Sequence, residues 1–295
     1  RIFNLRIEGF EETGIALASL KNSQIRKGRL LQKITRDNLG GGIAHYQYEL
    51  RLGKGEFDVV NVHRVVREKR PYCPIRTEGN VFMVHGGIQD FDDIFLTAGA
   101  EVINEETSSP YHLASNNVDV WGIDLGWTRV PLETEDFSFM KGWGVERDVK
   151  HTLTSMAVAR LIRGCTRQGF GRINLLGFSY GVAVAYGAAG LETQIPTFFR
   201  NIKGIIPVDS QLKLEDEEMQ NAACTQAAEH LDLINAGEYH NPWGVGLIGL
   251  GNLALIAPDD PSEVPPFNEY GFPNAQVLNA IGSDHSTNWH FFGGN

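Results

Sequence analysis

One stretch constrains this chain more than any other. Ile173-Asn174-Leu175-Leu176 is a short apolar run of the kind a buried strand shows, and Gly177-Phe178-Ser179-Tyr180-Gly181 follows it as a sharp turn. Val182 to Ala189 is then rich in alanine, which suits a helix packed closely on a sheet. A serine held in a tight turn needs neighbours without a Cβ if strand and helix are to approach each other. The stretch therefore predicts strand, turn and helix in immediate succession.

The rest of the chain offers a sheet for that unit to join. His45 to Leu52 alternates with period two, Gly53-Lys54-Gly55-Glu56 turns the chain, and Phe57 to Val66 runs back, which predicts an antiparallel hairpin. Asn80 to Val84 is a short apolar strand that ends in His85-Gly86-Gly87, and Val118 to Asp124 is another with a polar end. Helices are expected within Ala98–Ala114, where Pro110 interrupts or starts the helix, and over Asp148–Arg163. Ile202 to Asp209 reads as the next parallel strand. Alternating strands and helices predict an α/β fold: a mostly parallel central sheet with an antiparallel N-terminal hairpin.

Residues 1–44 read as an N-terminal extension on the edge of that core, and 45–210 as the core itself. Beyond 210 the texture changes. Glu215 to Ala236 is a helix candidate with an acidic first turn, closed by Gly237, and Asn274 to Ile281 is another short helical patch. Residues 211–295 are therefore expected to form a helical lid or insertion, with the C-terminal part of the core missing or rearranged.

Of the 295 residues 42% are apolar and 21% charged, as in ordinary globular proteins. The net charge of -10 argues against nucleic acid or anionic membrane as a general partner. No apolar run reaches the roughly 20 residues of a membrane span. Cys73, Cys165 and Cys224 form no metal-ligand spacing and allow at most one internal disulfide. Cys165 and Cys224 are expected to be buried small residues. No metal and no organic cofactor is expected. Because the chain opens at Arg1, a processed, soluble and secreted protein is one expectation for its compartment.

His85-Gly86-Gly87, Asp124 at a strand end, and Gly177-Phe178-Ser179-Tyr180-Gly181 occur in the order found in the α/β-hydrolase superfamily, and residues 45–209 resemble the core of its serine esterases and lipases. The resemblance implies that Ser179 is a nucleophile. It implies an oxyanion hole made by the N–H of Tyr180 and that of Gly87 or its neighbour Ile88. His85 would support the loop rather than act as base, and Asp124 would organise loops.

The resemblance also implies an acid and then a histidine after the serine. Asp209 ends the strand after the turn, Asp259 and Asp260 follow Pro258, and Asp284 adjoins a histidine. His285 and His290 are the base candidates, whereas His230 and His240 read as surface residues. Ser179-Asp260-His285 has the family's usual spacing but leaves no room for a helix and strand in between. With residues 211–295 as a lid, resembling the helical insert of some bacterial members, Asp209 is the acid. His285 is kept as base, and the alternative is a base beyond residue 295.

These residues imply a serine hydrolase acting on a small-molecule ester or related acyl bond. Trp243, Leu247, Leu250, Phe267 and Phe272 favour a partly apolar substrate, or else form core. An acyltransferase or lyase on the same scaffold and a non-catalytic binding protein are the alternatives.

Overall fold

The computed structural model describes residues 30–87, 90–96, 107–131, 134–210, 215–239, 250–264 and 267–283. The chain separates into two compact units. The first holds the described residues up to Thr134 together with Gly142–Leu212, and the second holds Glu135–Lys141 and the chain from Lys213 onward.

The first unit is built on one sheet of eight strands: β1 Leu31–Gly40, β2 Ile43–Arg51, β3 Val59–Arg70, β4 Cys73–Pro74, β5 Gly79–Val84, β6 Val118–Asp124, β7 Ile173–Phe178 and β8 Ile202–Val208. Their order across the sheet is β1-β2-β3-β6-β5-β7-β8, with β4 paired to β3. The hairpin read from the alternation at 45–66 is present as β2 and β3. Three pairs are parallel, β5 with β6, β5 with β7, and β7 with β8. Four are antiparallel, β1 with β2, β2 with β3, β3 with β4, and β3 with β6. The sheet is thus mixed, which corrects the expectation of a mostly parallel one. Strand periodicity shows which residues share a face; it does not show which strand lies beside which. Here β3 carries the hairpin into the sheet interior by pairing with β6.

Helices α1 (Ser109–Ser115), α2 (Val145–Cys165) and α3 (Tyr180–Thr193) join this sheet. Ser108 caps α1 by accepting the Tyr111 N–H, and Pro110 sits in its first turn, where a missing N–H does no harm. The period of two sorts the strand side chains. Phe82, Val84, Trp121 and Ile123 face a core completed by Leu153, Met156 and Ala159 of α2 and Val184, Ala185 and Ala188 of α3. Val81, Met83 and Val120 face the opposite core with Phe91, Phe95 and Ala114. A buried ion network fastens α2 to the sheet: the Arg64 guanidinium donates to Asp119 through two nitrogens at 2.8 and 3.0 Å, and Arg163 Nη1 donates to the same carboxylate at 2.6 Å.

The second unit contains α4 (Glu217–Ala236), capped by Asp216 and closed by Gly237 at φ 95°. It also contains a helix over Asn274–Ser283, and residues 250–256 are helical. Leu250 and Val277 are buried against each other's neighbours Val264, Phe267 and Leu278, so Leu250 and Phe267 serve a small core of this unit. Trp243 and Leu247 lie outside the described residues. All three cysteines are free, and Cys165 and Cys224 are exposed, which corrects the expectation that they are buried. Cys165 is the last residue of α2, and α4 carries no buried residue. Among the described residues no helix is long and apolar enough to cross a membrane.

Candidate active site

The turn at Ser179 has the sharpness its glycines allow. Ser179 stands at φ 51°, ψ -118°, between the end of β7 and the first residue of α3. That is a sparsely populated conformation for a residue with a side chain, worth about 1–3 kcal/mol of strain. A Cβ on Gly177 would lie 2.2 Å from Gly181 O, and one on Gly181 would lie 2.3 Å from Val84 O. Neither position has room for alanine, because α3 starts directly against β7 and β5. The Ser179 N–H donates to Val208 O at 3.0 Å, which ties the turn to β8. Ser179 itself is half-buried.

The loop after β5 lies against this serine. A Cβ on Gly86 would come within 3.1 Å of Ser179 Cβ, whereas one on Gly87 would meet nothing within 4 Å. Gly86 is buried and Gly87 exposed. His85 holds the loop from beneath. Leu125 N–H donates to His85 Nε2 at 3.1 Å, so that nitrogen is an acceptor. The proton therefore sits on Nδ1, which donates to Gly86 O at 2.7 Å. Burial pushes the His85 pKa down, so the ring stays neutral, and Trp127 meets it edge-on. Ile88 lies outside the described residues.

On the other side of the turn, Tyr180 Oη donates to Asp148 Oδ2 of α2 at 2.8 Å. Burial raises the Asp148 pKa to about 6, against the pull of Tyr180 and Arg147.

Among the described residues, Asp209 is the expected partner whose strand end lies next to that of Ser179. Phe178 of β7 and Val208 of β8 are register partners, and Ser179 and Asp209 each follow directly, at the same end of adjacent strands. Asp209 is exposed and also has a positive φ, 58°. Asp259 and Asp260 are exposed and belong to the second unit, where Asp260 O accepts the Asn274 N–H at 2.9 Å. His285, His290, His240 and Asp284 lie outside the described residues. Exposed His230 is on α4.

Sequence reasoning missed one polar cluster. His45 of β2 and His63 of β3 are buried and meet the half-buried Asp92, and these three could jointly hold a metal ion. Cysteine spacing gives no sign of it, because its ligand atoms belong to two histidines and a carboxylate. The usable signal was the hairpin register: Gln47 faces His63, so His45 is a diagonal neighbour of His63 on the same face. Asp124, at the end of β6, lies beside this cluster. Burial opposes its charge, but His63 at 2.9 Å and the Phe91 N–H at 3.0 Å hold its pKa well below the usual carboxylate range.

No family model matches the chain, and no curated protein matches it. Solved structures do. A candidate lipase from Sulfolobus solfataricus is similar over 83% of this chain and 68% of its own length, at 18% identity and a TM-score of 0.52. A cold-adapted esterase from an Arctic intertidal metagenomic library (13% identity, TM-score 0.38) covers 58% of this chain and 62% of its own. Brefeldin A esterase, a bacterial homologue of human hormone-sensitive lipase (17% identity, TM-score 0.39), covers 61% and 44%. The chain thus spans less than two thirds of the latter two. Together with the strand order and the β7–turn–α3 unit, the likeness to the first of these gives the chain an α/β-hydrolase-like fold.

Proposed function

We propose that this protein is a serine hydrolase that cleaves carboxylic esters through an acyl-enzyme on Ser179. The observation that carries the reading is the strained backbone of Ser179 between two glycines that no larger residue could replace. Strain of this kind collects at functional sites. A structural turn at the same place could use glycine at the serine position and avoid it.

In this mechanism a histidine accepts the Ser179 hydroxyl proton as Oγ attacks the ester carbonyl carbon. The oxyanion is met by the N–H groups of Tyr180 and Gly87, with the positive end of α3 behind it. Collapse of the tetrahedral species breaks the ester C–O bond, and the histidine protonates the departing alcohol. Water then attacks the acyl-enzyme by the same route and releases the acid. The register of β7 and β8 supports Asp209 as the carboxylate that orients the histidine. His285 fills the base in this reading. The neutral His85 is committed to Gly86 and Leu125, which supports a loop-holding role rather than a proton relay. The likeness to a candidate lipase supports the ester as substrate class.

The test is labelling by a fluorophosphonate together with turnover of short p-nitrophenyl esters. Wild type is expected to label at Ser179 and hydrolyse. Ser179→Ala is expected to lose labelling and to lose at least about 10³-fold in kcat. Retained esterase activity in Ser179→Ala would sink the assignment.

A further inference from the structure

We propose a second site: His45, His63 and Asp92 form a binding site for a divalent transition-metal ion of the zinc type. Three ligand atoms converge in the first unit. His45 Nε2 lies 2.9 Å from His63 Nδ1, and Asp92 Oδ1 lies 3.7 Å from the first and 3.5 Å from the second. Bonds of about 2.0–2.1 Å to a tetrahedral ion separate neighbouring ligand atoms by about 3.3 Å. The three separations straddle that value, so an ion enters by opening the two rings by a few tenths of an ångström.

The surroundings orient these atoms. Asp92 Oδ2 accepts from Gln47 Nε2 at 3.1 Å, which turns Oδ1 toward the histidines, and Oδ1 is buried with no hydrogen-bond partner. His63 presents Nδ1 to the site because its other nitrogen, Nε2, lies 2.9 Å from Asp124 Oδ2. The contact is close but bent away from hydrogen-bond geometry, and Asn61 Nδ2 also donates to that oxygen at 3.2 Å. A carboxylate behind a ligating histidine is the usual outer partner in such sites. The Phe91 ring packs on His63 with centroids 4.4 Å apart, and it occupies the space a Cβ on Gly122 would need, 2.1 Å from Phe91 Cε2. Phe91 N–H donates to Asp124 Oδ1, so the residue next to Asp92 is anchored on both sides.

Two imidazoles and one carboxylate suit zinc and its neighbours better than calcium or magnesium, which prefer oxygen. Water would complete the tetrahedron. The ion would clamp the short π-helical turn Asp92–Leu96, which follows the Gly86–Gly87 loop, onto the β2–β3 hairpin.

The full chain, stripped with chelator and dialysed, is titrated with Zn²⁺ by calorimetry and with Co²⁺ by visible absorption. The expected result is one saturable Zn²⁺ per chain, the intense visible bands of four-coordinate Co²⁺, and a thermal midpoint that rises with metal. His45→Gln and Asp92→Asn, each checked for native near-UV dichroism, should weaken binding by at least about 10-fold. Ser179→Ala should bind like wild type, which separates this site from the hydrolase reading. Absence of saturable binding in wild type, or binding unchanged in both ligand variants, would overturn the proposal.

Discussion

Ser179 holds a backbone conformation that its own side chain disfavours, and this makes it separable from its neighbours by measurement. Ser179→Gly relieves the positive φ and adds the entropy of a glycine in the unfolded chain, so a net gain of about 1 kcal/mol in urea unfolding is expected, with all labelling lost. Gly181→Ala drives a methyl into Val84 O and is expected to lose about 3 kcal/mol or more in the same experiment. Equal stability of the two variants would contradict the steric account. The turn was legible in the sequence because its constraint is local: five consecutive residues carry it. The cluster of His45, His63 and Asp92 was not, because strand register and a later turn bring its members together. The same is true of Asp209, which in the sequence is only a strand end and acquires a position next to Ser179 through the pairing of β7 with β8.

At the scale of elements, α2 carries two buried titratable groups three residues apart that pull stability in opposite directions. Asp148 moves from an ordinary 3.8 up to about 6 through burial, so its contribution is largest in acid and is lost as pH rises from about 4 to 6. His151 moves from 6.5 down to about 4, again through burial, so its contribution is largest above 6.5 and is lost as pH falls toward 4. Over the shared window the two slopes offset each other in wild type. Asp148→Asn should therefore gain on wild type as pH rises from 4 to 7, and His151→Leu should gain on it as pH falls over the same range. Each gain is expected to reach up to about 3 kcal/mol in urea unfolding. Parallel curves for wild type and variants would refute the shifts. From β2 to β8 most element types were readable from periodicity and caps, whereas β1, inside the stretch read as an extension, was not. Strand neighbours were not readable, and so the sheet emerged mixed where a mostly parallel one was expected.

At the scale of the molecule, the described residues of the two units form cores of very different size. The first buries both faces of a long sheet; the second buries Leu250 and Val277 with a few partly covered neighbours. Independent cores of unequal stability break two-state behaviour. Scanning calorimetry is expected to give a van't Hoff enthalpy below the calorimetric one, with the second unit melting first; a single two-state transition would argue against it. The first unit closes at Leu212, and the membership of Glu135–Lys141 in the second unit has no signal in sequence.

The order of the sheet ends at β8, and among the described residues no strand pairs with its outer side. Ile206 and Val208 are exposed there, which would make a ready template for a stray chain. The same strand carries Lys203, whose charge is exposed, and Pro207, which has no N–H to offer. An incoming strand would find the ladder interrupted beside the Ser179 turn. The segment that positions Asp209 thus also discourages strand addition along β8.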